Sequence, residues 1–301
     1  MIDGMNVLVT GANGQLGSEI EALVRHASPT TQNSTFFFTD KDALDITDKD
    51  AVGSFCRDNA IDVIINCAAY TAVDRAEEEA AAADRINHLA VRHLAEIAKA
   101  QNIRLFHIST DYVFDGKNHR PYVETDPVNP QSVYGRTKLD GEKAIRRVAP
   151  PGAVIVRTSW VYSTYGNNFV KTMLRLGKER DELGVIFDQI GSPTYAHDLA
   201  KALLQIIQHS TFNTQHAVMI YHYSNEGVVS WYDFAKAVFE LSKIDCRVRP
   251  IETEEYPTPA KRPHYSLLNK SKIKKEYNID IPYWKNSLEN MLKRLEVDRD
   301  G

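Results

Sequence analysis

The stretch Thr10-Gly11-Ala12-Asn13-Gly14-Gln15-Leu16-Gly17 constrains the fold of this chain more than any other. It follows a short apolar run, Met5–Thr10 (Met-Asn-Val-Leu-Val-Thr), that reads as a fully buried strand, and it leads into a helix from about Gly14 to His26. Three glycines between a strand and a helix permit a tight turn, close approach of a pyrophosphate to the backbone, and close helix–strand packing. The start of the helix offers free N–H groups and a positive dipole to phosphates. The spacing is Gly-x-x-Gly-x-x-Gly rather than Gly-x-Gly-x-x-Gly, so the place between strand and helix carries the reading more than the letters do. Gly11, Asn13, Gly14, Gln15, Leu16 and Gly17 are therefore expected to lie against a dinucleotide.

The rest of the first half keeps the same rhythm. Ser34–Thr39, Ile61–Asn66, Ile103–Ser109 and Ala153–Thr158 read as further strands. Between them, Asp48–Asn59 opens with an acidic first turn, Glu77–Gln101 carries apolar residues at helical spacing, and Ser132–Arg147 continues the pattern. Strands alternating with helices imply a doubly wound parallel sheet of Rossmann type in an α/β fold. Residues 111–131 form a long loop of functional appearance. Beyond Ser159 the rhythm loosens: helices at Asn168–Lys178, His197–Gln208 and Ser230–Ser242, and strands at Gly184–Gln189 and His216–Tyr223. The remainder, with Pro at 250, 257, 259, 263 and 282, reads as irregular. The expected division is a dinucleotide-binding domain at 1–165 and 198–224. A smaller, interleaved C-terminal substrate-binding portion takes 166–197 and 225–301.

Composition narrows the class. A chain of 301 residues with 43% hydrophobic and 25% charged residues is an ordinary globular one with ample core. A net charge of −4 argues against general binding to nucleic acid or to a membrane surface. Cys56, Cys67 and Cys246 are odd in number and far apart, and the 10 histidines show no ligand spacing, so neither a disulfide framework nor a metal site is expected. No secretory leader or apolar span is seen, which makes the cytoplasm the default. Met5 serves as a start as well as Met1 does, since Met1–Gly4 adds nothing to the strand after it.

The remaining motifs fall on the carboxyl edge of the expected sheet, where ligands of open parallel sheets bind. Asp40 closes the second strand, where an acid would accept ribose hydroxyls and favour NADH. Lys41 beside it would instead neutralise a 2′-phosphate and favour NADPH, and a solvated strand-end pair is the plain alternative. Asp45 and Ile46 would flank adenine, and Asn66-Cys67-Ala68-Ala69 ends the third strand with small residues that let a cofactor lie close. Ser109-Thr110-Asp111-Tyr112 follows the fourth strand and offers hydroxyls to a substrate oxygen, unless they merely cap a turn. Tyr134 and Lys138 share one helix face, so an ammonium can favour the phenolate of a tyrosine that donates a proton. Tyr232 and Lys236 fit the same pattern, but they follow the last expected sheet strand, among Trp231, Phe234 and Val238, and read as packing.

Taken together, Thr10–Gly17, Ser109-Thr110 and Tyr134/Lys138 resemble the short-chain dehydrogenase/reductase family, and the glycine spacing is that of its extended branch. The resemblance continues through Asn66–Asp74, Ser109–Gly116, Arg157–Tyr162, Asn168-Phe169, Asp188–Thr194 and Arg262-Pro263, so it covers nearly the whole chain. Within the branch the chain looks most like enzymes that reduce dTDP-4-dehydro-L-rhamnose. The resemblance implies hydride transfer from NADPH or NADH to the 4-keto carbon of this nucleotide-diphosphate sugar, with Tyr134 as proton donor. Lys138 would lower the tyrosine pKa and hold the nicotinamide ribose, and Thr110 would bond the reacting oxygen. Cys67, Ala68, Ala69 and Tyr70 would border the cofactor. Thr71, Val73, Asp111, Tyr112, Trp160, Asn168 and Arg262 would border the substrate, Arg262 as a diphosphate partner.

Dehydratases of this branch usually carry Thr-Asp-Glu after the fourth strand. Here Tyr112 follows Thr110-Asp111, and the acid pair needed to eliminate water is missing. Some members are described as dimers bridged by a metal through acidic residues. Glu19 matches one of these, but His197 stands where another would align, so the expected assembly is a monomer or homodimer without metal. The rival readings are an epimerase or reductase of another nucleotide-linked 4-keto sugar, and a catalytically silent NAD(P)-binding subunit that regulates a partner.

Overall fold

The computed structural model describes residues 4–26, 34–209 and 218–300. Met1–Asp3, and residues 216–217 at the start of the last expected strand, lie outside the described residues. Five strands, β1 (Asn6–Thr10), β2 (Thr35–Thr39), β3 (Val63–Asn66), β4 (Arg104–Thr110) and β5 (Val154–Thr158), join a sixth, Met219–His222, in one sheet. Every pairing is parallel, and the order across the sheet runs β2, β1, β3, β4, β5, then Met219–His222. The chain reverses its direction of winding between β1 and β3, and a crevice opens there at the carboxyl ends of the strands. The glycine turn sits at this point.

Period-two alternation feeds both faces. Val7, Val9, Val63, Ile65 and Phe106 meet helix α1 (Gln15–His26) and helix Ala196–His209 through Leu16, Ile20, Leu199 and Leu203. Leu8, Ile64, Leu105 and Ile155 point the other way, onto helices Lys49–Asp58 and Ala90–Ala100 through Val52, Cys56, Leu94 and Ala98. Strands buried on both sides have no polar face to show, which is why they read as continuous apolar runs.

Two expectations from the sequence give way. The helix expected over Glu77–Gln101 is broken into Arg75–Glu78, Ala80–Asp84, a π-helical turn Arg85–Leu89, and Ala90–Ala100. The π turn carries buried Asn87, which bonds both the N–H and the carbonyl of Tyr70 and the hydroxyl of Thr137. The helix gives up regularity to supply a partner for a loop backbone that would otherwise be buried unpaired.

The C-terminal stretch is not irregular either. It holds a strand, Arg247–Ile251, a short helix, Ser271–Tyr277, and a long helix, Trp284–Asp300. The prolines lie between these elements or, for Pro250, in a strand paired on one side only. Trp284, Leu288, Met291 and Leu292 join a second core with helices Phe169–Glu179 and Trp231–Ser242 and with the strand pair Glu182–Ile186/Arg247–Ile251. Ile273, Ile279 and Ile281 pack instead into the core on the α1 side of the main sheet.

Candidate active site

A cleft of about 770 Å3 opens over the carboxyl ends of β1, β3 and β4. Gly11, Asn13, Gly14, Gln15 and Leu16 line its floor. Gly11 has φ of +67° and comes so near the next crossover that a Cβ would lie 2.6 Å from the N of Ala68. At Gly14 an added Cβ would meet only the carbonyl of Gly11, at 3.1 Å, and the cleft side stays open. Gly17 does not line the cleft. Its Cβ would lie 2.5 Å from the Gly11 carbonyl, so its smallness lets α1 pack against the turn. A backbone this bare, at the start of a helix, fits a pyrophosphate.

Asp40, Lys41, Leu44, Asp45, Ile46, Thr47, Arg85 and Ile86 form one end of the cleft. Asp40 is already occupied: its Oδ1 accepts the N–H groups of Asp42 and Ala43 at 3.1 and 2.9 Å, and its Oδ2 accepts from the Asn13 amide. Cys67, Ala68 and Ala69 line the middle. Tyr70 does not, because its hydroxyl donates to Glu79 at 2.6 Å.

Thr110, Tyr134 and Lys138 meet on the cleft wall. Thr110 ends β4 and caps the short turn Asp111–Val113 by accepting the N–H of Tyr112. Helix Val133–Val148, capped by Ser132, brings in Tyr134 and Lys138 from its first turns. Burial pushes the Tyr134 hydroxyl up to about 12, against the pull of its bond with Thr110. The lowering expected from Lys138 is not seen in this geometry. Lys138 Nζ donates to the Ile108 carbonyl at 2.6 Å and faces Nε2 of His107 at 3.4 Å, and burial pushes it down to about 8.

Under the site runs a polar ladder. Thr10, Asn66 and His107 are in register on β1, β3 and β4. The Thr10 hydroxyl donates to Asn66 at 2.7 Å, and the Asn66 amide meets Nδ1 of His107 at 3.0 Å. Burial first, and the Lys138 charge second, hold His107 well below its ordinary range, so the ring is neutral. Four residues beyond Lys138, Glu142 binds Arg157 through two bonds of 2.9 and 2.7 Å and accepts the Ser109 hydroxyl at 2.5 Å.

Thr71, Val73, Asp111, Tyr112 and Trp160 border the other side. Asp111 is buried, its Oδ1 accepts the Thr110 hydroxyl, and Oδ2 has no partner among the described residues. Burial pushes its carboxyl up to about 7. Trp160 holds φ of +49° and stacks on Trp231 with ring centres 3.5 Å apart. Asn168 and Arg262 stay outside the lining. Asn168 caps helix Phe169–Glu179 and donates to Gln15 and to the Ser163 carbonyl, and Arg262 makes a two-pronged pair with Asp74 at 2.9 and 2.7 Å.

Several lining residues escaped the sequence reading, notably Arg85, Leu44, Thr158, Ser159, Val161, Asn167 and Leu199. Arg85 stands in what reads as an unbroken helix, and only the π turn reveals which way it faces. Glu19 lies outside this cleft, fully buried. Burial raises its carboxyl, but bonds from His197, Ser163 and Arg294 outweigh that and hold it below the usual range.

Residues 5–297 match the family described as the RmlD substrate binding domain. The chain belongs to this family. A dTDP-4-dehydrorhamnose reductase of Aggregatibacter actinomycetemcomitans is 44% identical over 294 residues, which is 95% of this chain and 97% of the relative. Among solved members, the dTDP-4-dehydrorhamnose reductase of Clostridium acetobutylicum superposes with a TM-score of 0.89 at 44% identity, covering 97% of this chain and 100% of that one. The Bacillus anthracis reductase, solved in complex with NADP, gives 0.89 at 38% identity, covering 96% and 99%. Membership fits the fold on its own terms, since the parallel sheet and the cleft at its switch point are what the family needs to hold a dinucleotide.

Proposed function

We propose that this protein reduces the 4-keto group of dTDP-4-dehydro-L-rhamnose with NADPH or NADH, giving dTDP-L-rhamnose. The observation that carries the reading is the meeting of Thr110, Tyr134 and Lys138 on a cleft whose opposite floor is the bare glycine turn. The relatives named above, reductases of this sugar nucleotide over nearly their whole length, support it.

When bound, the dinucleotide supplies the hydride, and Gly11, Asn13, Gly14, Gln15, Leu16, Cys67, Ala68 and Ala69 hold it. Tyr134 keeps its proton at neutral pH and gives it to the oxygen as negative charge develops there. Thr110 Oγ1 is fixed by its turn and offers a second bond in place before the charge forms. Lys138, anchored on β4, sets a positive field beneath the tyrosine. Trp160, Thr71, Val73 and Tyr112 shape the sugar side. With Tyr112 where an elimination would need an acid, the site asks for one proton and no second carboxylate. Three unpaired cysteines support a reducing, cytoplasmic setting, and no helix among the described residues is long and apolar enough to cross a membrane.

The test is direct. Purified protein given NADPH and dTDP-4-dehydro-L-rhamnose should oxidise the cofactor and yield one 6-deoxy sugar nucleotide, and Tyr134→Phe should lose about 10²–10⁴-fold in kcat. An epimerase would change the sugar with no net cofactor oxidation, and a silent regulatory subunit would bind the cofactor with no turnover.

A further inference from the structure

The acid at the end of β2 and the cations beside it divide their work differently from what position alone suggests. Both oxygens of Asp40 are spent within the protein, on the N–H groups of Asp42 and Ala43 and on the side chain of Asn13. The last of these ties the end of β2 to the glycine turn, as does the Ala12 N–H bonded to the Thr39 carbonyl at 3.0 Å. Lys41 and Arg85 line the same end of the cleft, both are exposed, and neither makes a hydrogen bond or ion pair within the protein. They come from separate crossovers, Lys41 after β2 and Arg85 from the first position of the π turn after β3. Both nonetheless act on one residue. The Asp45 carboxyl is held below its ordinary range first by the Thr47 N–H and further by the charges of Lys41 and Arg85.

We propose that Arg85 and Lys41 grip the 2′-phosphate of NADPH, and that Asp40 closes the glycine turn instead of binding the adenosine ribose. A 2′-phosphate carries nearly two negative charges and three acceptor oxygens, which suits a planar guanidinium and an ammonium that have no other partner. A bare 2′-hydroxyl has to donate to an acceptor, and the acceptor at the usual place is engaged. Asp45, held by Thr47, is the local counter-charge that keeps the two cations facing the cleft. The proposal rests on the reading of the cleft as a nicotinamide-dinucleotide site, but not on the identity of the sugar.

Adenosine fragments test it without turnover. By titration calorimetry at low salt, 2′,5′-ADP should bind at least about tenfold more tightly than 5′-AMP, and added salt should shrink the gap. Arg85→Ala with Lys41→Ala should erase most of that ratio while changing the affinity for NAD+ by less than about twofold. Asp40→Asn should weaken NADP+ and NAD+ alike and lower the unfolding midpoint, because the turn loosens for both. Equal binding of the two fragments by the unaltered protein, or a ratio unmoved in the double variant, overturns the proposal. So does an Asp40→Asn protein that loses NAD+ alone. Failure of the sugar reading shows differently: the fragment preference persists while no 4-keto sugar nucleotide is reduced.

Discussion

Lys138 Nζ donates to the carbonyl of Ile108, not to Tyr134, and lies 3.4 Å from His107. The cation of the pair is therefore tied to β4, the strand that also delivers Thr110. With Lys138 pushed down to about 8 by burial and Tyr134 pushed up to about 12, the lysine titrates first as pH rises. kcat/KM should hold below pH 8 and fall about tenfold per unit above it as the ammonium is lost. The stability effect has the opposite sense. The unfolded lysine binds a proton up to about 10.5, so the unfolded state holds more protons between about 8 and 10.5, and this group makes the fold more stable as pH climbs through that window. A flat rate profile from pH 7 to 9.5 would contradict the assignment.

Asp111 gives a second pH signature. It is buried with one oxygen unpartnered, and its carboxyl is raised from 3.8 to about 7. A raised pKa means that the folded state holds the extra proton. The stabilisation is complete below about 4 and is lost as pH rises through 7, by at most about 4 kcal/mol. Asp111→Asn should remove this slope. Urea unfolding at pH 5 and pH 8 should show the unaltered protein losing more stability between the two than the variant does, and equal losses would refute it.

How much of this was readable from sequence follows the physics of each element. β1 to β5 were legible because both faces are buried and the apolar runs stop at turns. Tyr134 and Lys138 were legible only through strand order, which separates them from Tyr232 and Lys236, where the ammonium sits 5.6 Å over the tyrosine ring on a helix of the second core. Arg85 was hidden by a π turn that has no composition of its own. Helix Trp284–Asp300 was masked by the prolines before it, although Leu288, Met291, Leu292 and Leu295 repeat at helical spacing. Arg262 reads as a free cation, and only the fold brings Asp74 to it.

The Glu142–Arg157 pair is buried at both ends, with 2% and 3% of each side chain exposed. Removing one partner strands a charge in the interior, so Glu142→Ala should cost about 3–5 kcal/mol in chemical denaturation. Replacing both with Leu and Met should recover most of it. Recovery by the double variant would assign the cost to the stranded charge, and an additive loss would assign it to packing around Ser109.

Trp160 lines the cleft with φ of +49°, a conformation that costs a tryptophan of order 1–3 kcal/mol. Two contacts hold it: the Thr194 N–H bonds its carbonyl at 3.1 Å, and Trp231 stacks on its ring at 8° between planes. Trp231 does not line the cleft. Its loss should let Trp160 relax, and an aromatic pair of this kind is worth about 0.5–1.5 kcal/mol. Trp231→Leu should accordingly raise KM for the nucleotide sugar by up to about tenfold while NADP+ affinity, measured by fluorescence, stays within about twofold. A parallel loss of both affinities would mean that the stack supports the second core as a whole, and an unchanged KM would mean that the Trp160 ring is not a wall for the sugar.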